Sequence, residues 1–206
     1  MSTQSPEGFP AFFAEAPRIR VRDPLAEFLG AAQGGVLDYG YADGVRLAGH
    51  SCPTVASAWL VTRAALRALW PDALPERGAV RVEMRDPAQE GVTGVIANVI
   101  ALVTGATVDT GFHGLAGRFD RRRLLAYGVD IAGQVRFTRT DNGASVTVTA
   151  RLDQVGGDPR AMQLMPKCLS GSATPAERAL FGEIWQERVR KLLIEHADDP
   201  QVILVQ

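Results

Sequence analysis

The chain has 206 residues, 46% of them hydrophobic, which is enough to bury a substantial core in one domain. Its 22 basic and 23 acidic side chains leave a formal charge of −1, so the chain has no general attraction to nucleic acid or to an anionic membrane. No apolar run approaches the ~18 residues that span a bilayer, and the N-terminal segment lacks the features of a secretory signal. Two widely separated cysteines do not make a disulfide framework. We therefore expect a soluble protein of the reducing cytoplasm that binds neither nucleic acid nor membrane.

The first residues predict an arm that precedes a single domain. Residues 1–17 carry three prolines and three phenylalanines, and we expect them to form an extended arm that docks on its own domain or on a second copy of the chain. Residues 18–206 are then expected to form one domain. Within it, Asp23-Pro24 is typical of the start of a helix, because aspartate caps the first N–H groups and proline suits the first turn.

The middle of the chain alternates between predicted strands and helices. Residues 36–47 change between apolar and polar side chains around an Asp-Gly pair, which predicts two strands or an extended loop. Apolar residues recur every three or four positions over 53–70 and predict a helix, whereas 79–84 alternate as a strand does. The nearly continuous apolar run over 91–104 favours a buried helix. Residues 105–123 are rich in glycine and charge, have no periodicity, and are expected to form a loop.

The last third predicts a hairpin and a closing helix. Two alternating segments, 129–138 and 144–152, flank Asp141-Asn142-Gly143, which is a typical hairpin turn. Residues 165–168, which include Cys168, resemble a turn. Thr174-Pro175-Ala176-Glu177 has the pattern of a capping box and predicts the final helix, which an edge strand over 202–205 can follow. Because the strands cluster late and do not alternate with helices throughout, we predict an α+β fold with a mixed sheet flanked by helices.

The segment His50-Ser51-Cys52-Pro53 carries the clearest chemistry. Imidazole and thiolate are a common pair of zinc ligands. Proline at the first helical position makes Cys52 the expected N-cap, where unpaired N–H groups favour the thiolate. The same position also suits a buried, inert thiol of the kind that protein cores often hold.

Taken with Val103-Thr104-Gly105-Ala106-Thr107, this segment resembles the FmdE-like family of formylmethanofuran dehydrogenase components. The resemblance covers roughly residues 23–152. It implies an α-β-α-β(3)-like core with additional N- and C-terminal helices, usually in a homodimer, with zinc near His50 and Cys52. Val95 and Ala106 stand where many members have cysteines, and Asn98 stands where they have an aspartate. The chain therefore resembles a stand-alone relative of the dehydrogenase component.

His113 is the expected third metal ligand, because a histidine between two glycines is free of helix and strand geometry. It can equally be a surface histidine on a loop. Arg118 and Arg122 are candidates for holding an anionic substrate through bidentate hydrogen bonds, and the alternative is a solvated loop with Asp120 as partner.

Three functions follow from these residues. The first is a metal-binding protein, with zinc as the preferred divalent ion, that acts on or binds a small molecule or a metal-containing cofactor. The second is a non-catalytic module that assembles with a larger enzyme through its aromatic arm and the helix face around Trp185. The third is a thiol-based enzyme in which Cys52 is the nucleophile and His50 its base. The residues leave open whether the protein is catalytic.

Overall fold

The structure is a computed structural model that describes residues 8–206. It has an α+β architecture in which a mixed sheet is flanked by helices, as predicted. The helices are α1 Pro24–Phe28, α2 Tyr41–Ala48, α3 Pro53–Leu69, α4 Thr93–Thr104, α5 Arg160–Leu169 and α6 Pro175–Arg190. The strands are β1 Ile19–Arg22, β2 Val36–Tyr39, β3 Val80–Met84, β4 Leu125–Ala126, β5 Val135–Arg139, β6 Ser145–Ala150 and β7 Ile203–Val205. Within residues 8–206, no helix is long and apolar enough to cross a membrane.

The main sheet has five strands in the order β4-β3-β5-β6-β7. Only β3 and β4 run parallel, and the other neighbours are antiparallel. Apolar and polar side chains alternate along β3 and β5, so that Val82 and Phe137 are buried while Arg81 and Arg136 face the other side. One face of the sheet therefore packs against helices, and the opposite face is polar and open to solvent.

The predicted hairpin is present, and its turn differs from the expected one. Strands β5 and β6 pair antiparallel, and residues 140–144 connect them. Only Gly143 has a positive φ in this turn (76°), whereas a two-residue Asn-Gly turn would need a positive φ at both residues. The chain uses a longer loop with glycine at its left-handed position.

Helix α3 is the central element of the fold. It packs against β6 and β7 on one side and against α4 on another. Its length matches the sequence prediction, with Pro53 in the first turn and an end at Leu69. Trp59 is completely buried and donates a hydrogen bond from Nε1 to the carbonyl oxygen of Pro17 (2.8 Å). This helix thus links the core of the sheet to the N-terminal residues.

Residues 41–48 form a helix, so the prediction of two strands or an extended loop over 36–47 is correct only for β2. The helix α2 begins where the backbone N–H of Gly40 donates to Asp43 Oδ2 (2.9 Å). Gly44 lies on its buried face, where a Cβ would be 3.6 Å from the Trp59 ring. Asp43 therefore caps the start of α2, and Gly44 allows close packing against Trp59, so the Asp-Gly pair does not form a turn. A local sequence pattern does not distinguish these roles from a turn.

The C-terminal region contains a helix that the sequence pattern did not predict. Residues 165–168 were expected to form a turn, but they belong to α5. Cys168 lies near the C-terminal end of this helix, which also contains Pro166. Helix α5 packs against α6, which starts with the predicted capping box of Thr174 and Glu177 and continues into a π-helical turn over Lys191–Glu195. β7 then adds the predicted edge strand.

The described part of the predicted arm packs on its own domain. Residues 11–14 form one 3₁₀ turn, and Phe13 is buried with its ring 4.9 Å from that of Tyr41 in an edge-to-face arrangement. Residues 1–7 lie outside the described residues. The arm was predicted to dock on its own domain or on a second copy of the chain, and these contacts are with its own domain.

Candidate functional site

The His50–Cys52 segment is the short link between α2 and α3. Gly49 ends α2 in a left-handed conformation (φ 74°), which stops the helix at this residue. Cys52 is extended and caps α3 through its backbone, as the sequence predicted, and Pro53 follows in the first turn. The local sequence therefore fixes where the two candidate ligands stand.

Ser51 is held firmly by groups from two helices. Its hydroxyl is 3.1 Å from the hydroxyl of Tyr41 and donates to Gln186 Oε1 (2.9 Å). Its carbonyl oxygen accepts hydrogen bonds from Trp185 Nε1 and Gln186 Nε2, both at 3.1 Å. Tyr41 is fully buried, and burial raises the pKa of its hydroxyl, so this group stays protonated. These contacts keep the backbone between His50 and Cys52 in one conformation.

The ring of His50 is oriented by its own backbone. Its Nδ1 lies 2.9 Å from the carbonyl oxygen of Ala48. Because a carbonyl oxygen only accepts, Nδ1 carries the proton, and the lone pair of the neutral ring is on Nε2. The side chain is exposed, so Nε2 is accessible from solvent. A histidine that binds metal through one nitrogen usually donates the other N–H to a carbonyl or carboxylate in this way.

Cys52 is half-buried and packs against the edge of the core. Its thiol makes no capping hydrogen bond. Among the described residues, no hydrogen bond joins it to His50. The thiol is therefore neither an enclosed core group nor part of a preformed thiol–imidazole pair.

The loop over 105–123 is anchored by a group of charges that we name the Asp23 cluster: Asp23 and Arg121, which are buried, and Arg77, which is partly exposed. Asp23 accepts from Arg121 Nη2 at 2.7 Å and from Arg77 Nη1 at 3.0 Å. Burial disfavours its ionisation, but the Arg121 charge, the Arg77 hydrogen bond and two backbone N–H groups together lower the pKa of Asp23. Arg121 stands between Asp120 and Arg122 in the loop sequence, and its side chain is buried.

The loop places its other predicted residues at the surface. His113 is exposed, and the nearby Asp120 has a lowered pKa because the side chain and the backbone N–H of Arg122 donate to it. Arg122 forms a bidentate pair with Asp120 (2.7 and 3.0 Å), which is the partner expected for a solvated loop. Arg118 is exposed, lies over the Phe119 ring at 4.8 Å, and lines a pocket of about 310 Å³. Anion binding by Arg118 and Arg122 stays a prediction.

No three His, Cys, Asp or Glu side chains gather where they could share a metal ion, in the part of the chain that the structure describes. The loop thus does not bring His113 to His50 and Cys52 within one copy of the chain. The structure instead adds Tyr41, Trp185 and Gln186 around Ser51, which sequence reasoning missed. The sequence predicted Trp185 only as part of a helix face that contacts partners. Its contact with Ser51, 134 residues away, has no local signal in the sequence.

Comparison with known proteins adds no family assignment. No family model matches the chain, and no curated protein matches it significantly. The resemblance to the FmdE-like family therefore stays a prediction from the His50–Pro53 and Val103–Thr107 segments.

Proposed function

We propose that the protein binds a divalent metal ion, zinc by preference, through His50 Nε2 and Cys52 Sγ. One observation carries the proposal: Nδ1 of His50 donates to a backbone carbonyl, which leaves Nε2 as an accessible lone pair two residues from a half-exposed thiol. Imidazole nitrogen and thiolate sulfur are both ligands that zinc prefers. The metal would serve to hold a small molecule or a metal-containing cofactor.

The rigid backbone around Ser51 supports the same proposal. A metal site gains affinity when its ligands are already in place, because less conformational entropy is lost on binding. Four hydrogen bonds to Ser51 hold the backbone between His50 and Cys52 in place, and none of them involves the side chain of His50 or Cys52.

One chain supplies two ligands, whereas zinc binds four. The remaining positions would be filled by the small molecule, by water, or by a second copy of the chain in a homodimer. His113 is the candidate from a second copy, because it is exposed on a loop.

The test is elemental analysis of the purified full-length protein, together with Co²⁺ substitution. Near-stoichiometric metal and a thiolate-to-cobalt charge-transfer absorption are expected for the native protein. Cys52→Ala should abolish the absorption, and His50→Ala should weaken metal binding by about 100-fold or more, since loss of a direct ligand exceeds the loss of a supporting group.

Cys168→Ala is the matched control, because it removes the other free cysteine of the described chain and should change neither readout. His113→Ala weakens binding only if a second copy contributes that ligand, and sedimentation of the same samples gives the oligomeric state. Metal binding that survives Cys52→Ala would refute the proposal, and so would a folded native protein that binds no metal.

The two alternatives have less support from the described contacts. A thiol enzyme requires a hydrogen bond between the His50 ring and the Cys52 thiol, whereas Nδ1 of His50 donates to the carbonyl oxygen of Ala48. An assembly module was expected to use the aromatic arm and Trp185. Phe13 of the arm is buried in the chain's own core, and the indole N–H of Trp185 is used by Ser51.

A further inference from the structure

Four arginines surround a pocket of about 260 Å³ near the C-terminal end of α3. We name it the arginine pocket, and its basic members are Arg18, Arg20, Arg63 and Arg67. Cys52 lies 15 residues before Arg67, next to the start of the same helix, so the pocket is about 20 Å from the proposed metal site at 1.5 Å per residue. No residue of the His50–Cys52 segment lines it.

The positive charges of the pocket exceed the carboxylates that reach them. Asp198 accepts from both Arg63 (2.8 Å) and Arg67 (2.6 Å), and Asp38 pairs with Arg18 (2.8 Å). Arg20 is exposed and has no ion pair with any residue of 8–206. Neither Asp38 nor Asp198 is among the residues that line the pocket, so four arginines share two carboxylates that lie outside the lining. Since the whole chain has a formal charge of −1, this surplus is local rather than general.

The floor of the pocket is apolar and fixed. Leu66 and Trp70 line it and are buried. The guanidinium of Arg139 lies 4.4 Å from the centre of the Trp70 ring and donates to the carbonyl oxygen of Leu69 (3.0 Å), which holds the indole in place. Leu74 adds a partly exposed apolar side at the rim.

We propose that the arginine pocket binds a small organic anion. Its carboxylate or phosphate would meet the guanidinium groups of Arg20 and Arg67, and its apolar part would lie against Leu66 and Trp70. Arginine presents paired N–H donors that match both anionic groups, and an apolar floor with a few charged groups is the usual design of a small-ligand pocket. This binding does not depend on the metal site.

The test uses benzoate and phenyl phosphate as probes in calorimetric titrations of the full-length protein. At least one of the two should bind, more tightly than inorganic phosphate and more tightly than the neutral analogue benzamide. Arg20→Gln and Arg67→Gln should each weaken that binding at least about tenfold, as expected for a lost charge-assisted hydrogen bond. Arg20 has no ion pair to lose within residues 8–206, so its replacement should leave folding unchanged.

Arg81→Gln is the matched control, because it removes an exposed arginine from the opposite face of the sheet and should leave the affinity unchanged. Cys52→Ala should also leave it unchanged, which separates this inference from the metal proposal. The inference is overturned if neither probe binds, if Arg81→Gln weakens binding as much as Arg20→Gln, or if inorganic phosphate binds as tightly as the better of the two probes. Binding of the polyanion heparin without either small probe would overturn it as well.

Discussion

The Asp23 cluster and the pair of Asp120 and Arg122 are both aspartate–arginine contacts of the 105–123 loop, and they differ in burial and in sequence separation. Asp23 lies 98 residues from Arg121, and the two side chains are 5% and 7% exposed. Asp120 and Arg122 are two positions apart, and their side chains are 44% and 28% exposed. The first contact exists only in the folded chain, whereas the second can form in a short peptide.

This difference separates contacts that hold the fold from contacts that do not. A buried carboxylate that loses its partners is costly, because the unpaired charges cannot return to water. A surface pair exchanges its partner for water at little cost. We therefore expect the position of the loop, and with it of His113 and Arg118, to depend more on Asp23 than on the surface pairs.

Asp23→Asn should have the largest effect. The substitution keeps a capping oxygen for α1 but leaves Arg77 and Arg121 without a counter-charge, so the free energy of unfolding should fall by about 4 kcal/mol. Urea denaturation followed by circular dichroism measures it. Asp38→Asn, which removes a partly exposed carboxylate paired with Arg18, is the matched control and should change the midpoint little.

The pH dependence gives the same prediction a second readout. Because the folded pKa of Asp23 lies below its usual value of 3.8, the cluster stabilises the fold fully above that pH and loses its effect as the pH falls through the lower folded pKa. The stability difference between the native protein and Asp23→Asn should be constant above about pH 5 and narrow below 3.8. A difference that stays constant down to acid unfolding would mean that the charge of Asp23 is not what stabilises the loop.

Gly78→Ala should have the next largest effect, because it acts on the same cluster from the backbone. Gly78 has a φ of 88°, and a Cβ at this position would lie 1.2 Å from Nη1 of Arg121. The methyl group would therefore add backbone strain and displace the guanidinium from Asp23, with an expected loss of about 2–3 kcal/mol in unfolding free energy.

Gly117→Ala separates the two contributions to that loss. Gly117 has a similar φ of 77°, but a Cβ there would meet nothing within 4 Å. Only the strain should remain, at about 1 kcal/mol. Equal losses for the two variants would show that displacement of Arg121 contributes nothing.

The same contrast explains how far the sequence could predict this protein. Helices α3, α4 and α6, the β5–β6 hairpin and β7 carry local signals, such as a capping box or a period of 3.6 or 2, and all were predicted. Helices α2 and α5 contain Gly44 and Pro166, which locally favour a turn, and they are helical because of packing against α3 and α6.

The candidate site divides in the same way. The helix cap at Cys52 follows from Pro53 and the periodic residues after it, and the pairing of Arg122 with Asp120 follows from their spacing. The contacts of Ser51 with Gln186, 135 residues away, and of Arg121 with Asp23 are set by tertiary packing. A single sequence contains no local trace of either.

Arg122→Gln should have the smallest effect on stability. The guanidinium and the backbone N–H of Arg122 hold the pKa of Asp120 below its usual range. Because the two residues are two positions apart, the same contact can form in the unfolded chain, so the shift is shared by both states and adds little to the free energy of folding. The thermal midpoint should stay unchanged, while an NMR titration of Asp120 shows its pKa rising toward the ordinary value. A clear fall in the midpoint would place this pair with the Asp23 cluster among the contacts that hold the loop on the domain.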